Sequence, residues 1–133
     1  MTMQYKVVKG STFNMGKPLE IIVVDDEVQI TELIELFMKA SGEDSNIHSF
    51  NDSVAARDYI CENSDDIDVV ITDYKMPQVN GLELLSFVSN KTKKILISGY
   101  VSEIAEDKLN SLEATFFEKP VPMSKLKKVV FEH

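Results

Sequence analysis

Cysteine occurs once in these 133 residues, at Cys61, so no disulfide can form within the chain, as in a protein of a reducing compartment. Basic residues are scarce, 14 against 22 acids, which leaves a formal charge of −8 and a pI near 4.7. That balance argues against non-specific binding of DNA or RNA, which needs a basic surface, and leaves room for a cation or a basic partner. No apolar run approaches the ~20 residues that cross a bilayer. The first ten residues, MTMQYKVVKG, lack the apolar centre of a secretory signal. Internal repeats and low-complexity segments are also missing. What remains is a chain 44% hydrophobic and long enough for one core. The expectation is a single soluble domain located in the cytoplasm.

What is present is an alternation of strand and helix that begins after residue 17. A nearly continuous aliphatic run, Leu19 to Val24, reads as a strand covered on both faces. A helix follows from about Glu27 to Ala40, with Ile30, Leu33, Ile34 and Phe37 predicted to face the sheet and Gly42 as its stop. Residues 46–50 form a short strand, and Asn51 or Asp52 caps a second helix that runs to about Cys61. Residues 67–72 are a second strongly buried strand, followed by the loop DYKMPQVNG with its breakers Pro77 and Asn80-Gly81. A helix over about 82–89, a strand at 94–98 and a helix after Gly99 come next, the last with Val101, Ile104, Ala105, Leu109 and Leu112 as its apolar positions. A short strand at 114–117 and a helix from Met123 to Phe131 complete the pattern. Five strands alternating with five helices imply a doubly wound α/β fold, a parallel sheet with helices on both faces. The strands at 21–24 and 68–72 are the most aliphatic and are expected at its centre. Residues 1–17 do not join the rhythm and are expected to be an N-terminal extension, with residues 18–133 as the folded domain.

Ligands of open parallel sheets bind beyond the carboxyl ends of the strands, and this chain puts its unusual residues there. Asp25 and Asp26 follow the first strand, Asp73 follows the third, Ser98 ends the fourth, and Lys119 follows the fifth. Two carboxylates ~4 Å apart repel by roughly 4 kcal/mol at an effective dielectric of about 20, so something must offset them. Oxygen-only ligands suit a hard cation, Mg2+ above others. Lys119 adds a mobile point charge and Ser98 a hydroxyl donor. Together they could hold a phosphoryl group on Asp73, because a carboxylate can attack phosphorus to give an aspartyl-phosphate. Taken singly, each residue has an ordinary explanation: Asp25-Asp26 as the acidic first turn of a helix, Asp73 as a turn residue, Ser98-Gly99 as a turn pair. Asp44, Asp65, Asp66 and Asp68 read as solvated loop acids. His48 and His133 read as structural or surface residues, and Cys61, Met76 and Phe87 as packing or surface. The functional reading rests on the joint placement of five polar residues.

Four segments in order, VVDDE (23–27), ITDYKMPQVNGLELL (71–85), ILISGY (95–100) and FFEKP (116–120), make the chain resemble the receiver domain of two-component response regulators, over about residues 18 to 132. The resemblance implies a flavodoxin-like sheet of order 2-1-3-4-5, the order of the chemotaxis regulator of that family. It implies Asp73 as phosphoacceptor, with Asp26 binding Mg2+ directly and Asp25 mainly through water. The Lys75 backbone carbonyl would complete the metal ligands. Ser98 and Lys119 would bind the phosphoryl group, with Ser98 and Phe116 as switch residues and a cis bond at Lys119-Pro120. The implied partner is a histidine kinase or a histidine phosphotransfer protein. The domain would be a signalling switch that catalyses only its own phosphorylation and dephosphorylation. Output would run through the fourth helix, fifth strand and fifth helix. There Lys125, Lys127 and Lys128 oppose Glu103, Glu106 and Asp107, so a homodimer on phosphorylation is among the expectations. Leu36, on the flank of the first helix, is the expected kinase contact. Lys75 and Tyr100 are expected to narrow the path of hydrolytic water.

Two other functions compete. A Mg2+-dependent phosphohydrolase with an aspartate nucleophile needs an acid two residues past the nucleophile, where this chain has Lys75. A plain Ca2+ or Mg2+ module of the EF-hand kind needs alternating acids and a central glycine, which DDE lacks. Within these 133 residues no DNA-binding, cyclase or phosphodiesterase unit is expected after the last helix. A stand-alone receiver and a piece of a longer regulator or hybrid kinase both stay open.

Overall fold

A computed structural model of the chain describes residues 17–99 and 106–132. The expected extension over 1–17 lies almost entirely outside the described residues. So do Tyr100, Val101, Glu103, Ile104, Ala105 and His133. The elements run β1 (Leu19–Val24), α1 (Val28–Ala40), β2 (Ser45–Phe50), α2 (Ser53–Asn63), β3 (Val69–Asp73), α3 (Gly81–Ser86), β4 (Lys93–Ser98), α4 (Glu106–Leu112), β5 (Thr115–Glu118) and α5 (Met123–Phe131). The five strands form one sheet in the order β2-β1-β3-β4-β5, every pair parallel. This is the doubly wound order that the family resemblance implies. The central strands are those of highest aliphatic content: β3 is buried along its whole length, as are the last four residues of β1 and the last five of β4.

Alternation along the strands splits the core in two. Ile21, Val23, Ile71, Ile95 and Ile97 point to one face and pack with Ile34 and Met38 of α1 and Leu126 and Val130 of α5. Ile22, Val24, Val70 and Leu96 point to the other, against Ala56 and Ile60 of α2 and Leu84 and Leu85 of α3. Burial of a Leu or Ile side chain contributes roughly 1.5–3 kcal/mol, so these two layers are what hold the sheet between its helices.

Several expectations need correction. Leu33 does not face the sheet; it is 41% exposed. The buried stripe of α1 is Thr31, Ile34 and Met38, with Ile30 and Phe37 at its margins. Thr31 can be buried because its hydroxyl donates to the Val28 carbonyl at 3.0 Å and accepts from Asn51 Nδ2 at 3.0 Å. Of the two expected caps of α2, Asp52 is the one that serves, accepting from the Val54 N–H at 3.0 Å. Helix α3 stops at Ser86, and Leu84 is wholly buried beside Leu85. Asp68 is more than a solvated acid: its carboxylate accepts from the Glu20 N–H at 2.8 Å and ties the starts of β3 and β1. Gly42, expected as the stop after α1, has φ +79°, the left-handed conformation that suits glycine.

Candidate functional site

The site forms because each strand end is tied to its neighbour before the chain turns away. The Asp25 N–H donates to the Phe50 carbonyl (3.1 Å), Tyr74 N–H to Ile97 (2.8 Å) and Lys119 N–H to Ser98 (3.0 Å). The residues beyond β1, β3, β4 and β5 therefore arrive at one edge of the sheet. Asn51 adds a clamp, its Nδ2 donating to the Asp25 carbonyl at 2.8 Å.

Three carboxylates converge there. Oxygens of Asp25, Asp26 and Asp73 lie within 4.8 Å of one another. Asp25 and Asp73 are buried, at 1% and 6% exposure, while Asp26 is open to solvent. Lys119 sits among them, its Nζ 3.2 Å from Asp25 Oδ2, 3.4 Å from Asp73 Oδ1 and 3.5 Å from Glu27 Oε1. Asp25 Oδ1 accepts from the Glu27 N–H at 2.9 Å, whereas the buried Oδ2 makes its ion pair without a hydrogen bond. Asp73 Oδ1 also accepts from the Tyr74 N–H at 3.0 Å. An open cavity of about 480 Å³ above the cluster is lined by Asp26, Glu27, Asp73, Lys75, Gly99 and Lys119.

Electrostatics follow from this crowding. Burial, then the Asp25 charge, push the Asp73 carboxyl up to about 6, against the pull of Lys119. Burial also raises Asp25, opposed by the Glu27 N–H and Lys119. For Lys119 burial disfavours the charge, but Asp25 and Asp73 outweigh it and the net shift is upward. One ammonium does not neutralise this many carboxylates. A buried acceptor oxygen lacking a hydrogen bond and an all-oxygen donor set together suit a hard divalent cation. Mg2+ fits these residues.

Ser98 is fully buried at the end of β4, one residue past Ile97, which pairs with Asp73 in the β3–β4 register. Phe116 pairs with Leu96 across β4–β5 and is half-buried against the core cluster that includes Leu96. Lys75 is exposed and lines the cavity. The Lys119-Pro120 bond is cis, as the resemblance implies.

Gly81 supports the site in a way that its reading as a breaker missed. A Cβ there would collide with the Asp73 carbonyl oxygen and lie 2.7 Å from Leu96 Cδ1. The first turn of α3 therefore packs directly behind Asp73, with the Gly81 N–H bonded to the Tyr74 carbonyl at 2.8 Å. Asn80 caps that helix reciprocally with Glu83, which fixes where the turn begins. Glu27 and Asn51 were also not foreseen at the site. The only sequence signal for Glu27 was its place directly after the acid pair.

The family model of the response regulator receiver domain matches residues 21–131, and the chain belongs to that family, the receiver modules of two-component signalling. The transcriptional regulatory protein FlgR of Helicobacter pylori is 31% identical over 103 residues, 77% of this chain and 26% of that protein. A chemotaxis protein CheY homolog of Campylobacter jejuni is 33% identical over 75 residues, 56% of each chain. Among solved structures, a response regulator receiver protein from Pseudomonas putida superposes with a TM-score of 0.71 at 27% identity, covering 86% of this chain and 97% of that one. The chain thus spans about a quarter of the length of FlgR. No helix among the described residues is long and apolar enough to cross a membrane.

Proposed function

We propose that this receiver is a phosphorylation-controlled switch. It accepts a phosphoryl group on Asp73 from a histidine kinase or a histidine phosphotransfer protein. The observation that carries the reading is the convergence of Asp25, Asp26 and Asp73 around Lys119 at the mouth of an open cavity. Asp25, Asp26, Asp73 and the Lys75 carbonyl are the residues that would hold Mg2+, which when bound supplies positive charge and orients the phosphoryl oxygens.

The chain's own groups divide the remaining work. The Asp73 carboxylate attacks phosphorus as the donor's P–N bond breaks and the imidazole leaves, so one acyl phosphate forms per phosphohistidine consumed. Burial, then the Asp25 charge, raises the Asp73 pKa to about 6, so the nucleophile is ionised at neutral pH. Lys119 pairs with the transferred group and Ser98 donates its hydroxyl to it. That draws β4 and β5 toward the acceptor, and Phe116, packed beside Leu96, transmits the change to the surface of α4, β5 and α5. A homodimer through that surface is one output it suits.

The domain catalyses only its own phosphorylation and dephosphorylation. Lys75 stands in the cavity where a phosphohydrolase of the aspartate-nucleophile kind needs a carboxylic acid, so the hydrolase reading is set aside. The folded unit is residues 18–133, acting in the cytoplasm, without binding nucleic acid itself. The test is incubation with acetyl phosphate, with Mg2+ and then with chelator, followed by intact-mass spectrometry. One added phosphoryl mass that requires Mg2+ is expected. No gain in mass under either condition would contradict the proposal.

A further inference from the structure

Lys119 has three carboxylate neighbours, and the phosphoacceptor reading uses only two of them. Asp25 and Asp73 are buried parts of the acid cluster; Glu27 stands at the rim of the cavity, 62% exposed, with Oε1 3.5 Å from Lys119 Nζ. Among the described residues its side chain makes no hydrogen bond or ion pair besides the one with Lys119. It occupies the N-cap of α1, yet makes no capping hydrogen bond. Its backbone N–H is pinned to Asp25 Oδ1 at 2.9 Å, so its Cα is held beside the cluster while the carboxylate turns back to the lysine.

We propose that Glu27 is a positioning residue: beside Asp25 and Asp73 its carboxylate is a third resting counter-ion of Lys119, at the cavity rim, and must release the ammonium before Lys119 can pair with a phosphoryl group on Asp73. The inference rests on the phosphoacceptor reading. A phosphoryl group brings a further anion into the cavity that Glu27 lines, and it competes with the Glu27 carboxylate for the Lys119 ammonium. The competition favours the resting state. Removing the Glu27 carboxylate therefore shifts the balance toward the loaded state, and the size of the shift is that of an exposed ion pair.

Side-chain length separates this contact from simple charge repulsion. Aspartate at position 27 keeps the charge but, one methylene shorter, withdraws it from Lys119. If the ion pair matters, Glu27→Asp behaves like Glu27→Gln; if only distant repulsion matters, it behaves like wild type. Glu32→Gln, an exposed acid further along α1, is the control for net charge.

The experiment titrates the full chain with beryllofluoride in excess Mg2+, because this anion mimics an aspartyl-bound phosphoryl group without any transfer chemistry. Affinity is read from amide NMR shifts, and the Lys119 side-chain resonance is followed alongside. Glu27→Gln is expected to bind roughly two- to fivefold more tightly, the span of an exposed ion pair. Glu27→Asp should follow it, and Glu32→Gln should match wild type. The Lys119 resonance should move in ion-free Glu27→Gln and Glu27→Asp, which a merely structural role would not produce. Unchanged or weaker binding by Glu27→Gln overturns the inference, as does a Glu27→Asp protein indistinguishable from wild type. If wild type takes no beryllofluoride, or Asp73→Asn takes it equally well, the phosphoacceptor reading itself falls, and the Glu27 inference with it.

Discussion

Replacing Asp73 with Asn is predicted to stabilise the metal-free protein at pH 7, although it removes the proposed acceptor. Asp73 is 6% exposed, lies beside Asp25 and Asp26, and has Lys119 as a countercharge at 3.4 Å. Its folded-state pKa of about 6 stands against an ordinary 3.8. That gap of roughly two units corresponds to ~3 kcal/mol at 1.36 kcal/mol per unit. The sign follows from proton binding. The folded state holds the Asp73 proton more tightly than the unfolded chain, so stability falls as pH rises from about 4 to about 6 and is flat above. Asparagine has the same shape and no such titration, but its amide NH2 would stand next to the Lys119 ammonium. The expected net gain at pH 7 is therefore about 1–3 kcal/mol, shrinking toward zero near pH 4. Urea unfolding followed by circular dichroism, with chelator at pH 4, 5.5 and 7, measures it directly. Added Mg2+ should stabilise wild type by mass action and Asp73→Asn much less. A mutant no more stable than wild type at pH 7, or a gain of the same size at pH 4, would refute the electrostatic reasoning.

Gly81→Ala should lower stability by about 1–3 kcal/mol or prevent folding, because the new methyl meets the Asp73 carbonyl and Leu96; thermal melts give the answer. Gln78 has φ +73°, so Gln78→Gly should relieve left-handed strain and raise stability by up to about 1 kcal/mol in the same melts. Leu36, 64% exposed on α1, is predicted to contact the kinase. Leu36→Asp should slow phosphotransfer from the cognate kinase while leaving acetyl phosphate labelling unchanged. Lys75→Ala should shorten the lifetime of phosphorylated protein by opening the cavity to water, followed as loss of the phosphoryl mass over time. A tenfold change would be roughly 1.4 kcal/mol of barrier. Tyr100, the other residue expected to screen that path, lies outside the described residues.

The elements most legible in the sequence were those whose pattern is set by burial on both faces. The runs at 19–24, 69–73 and 94–98 have no polar alternation to blur them, and they are the three central strands. Their carboxyl ends then located Asp25, Asp73 and Ser98 without further information. Strand order was not readable from periodicity, because crossover direction leaves no mark on residue spacing; it came from the family likeness. Leu33 was misplaced because apolar periodicity cannot see a buried threonine. Thr31 earns its place through two hydrogen bonds, one to Asn51 twenty residues away in sequence. Asn51 and Gly81 were invisible as site residues for a related reason. Their roles depend on contacts with the backbone at Asp25 and Asp73, and a long-range contact has no local signature. Glu27 reaches Lys119 across 92 positions, a separation no short motif can encode.

The central claim is that Asp73 is the phosphoryl acceptor, and mapping the modified residue tests it most directly. The full chain is phosphorylated with acetyl phosphate and Mg2+, reduced with borohydride to convert the acyl phosphate into a stable alcohol, digested, and sequenced by mass spectrometry. The account predicts that the reduced residue is Asp73 alone, in the peptide containing ITDYKMP, and that Asp73→Asn yields none. Reduction at Asp25, Asp26 or Glu27, or a phosphoryl group retained by Asp73→Asn, would contradict it.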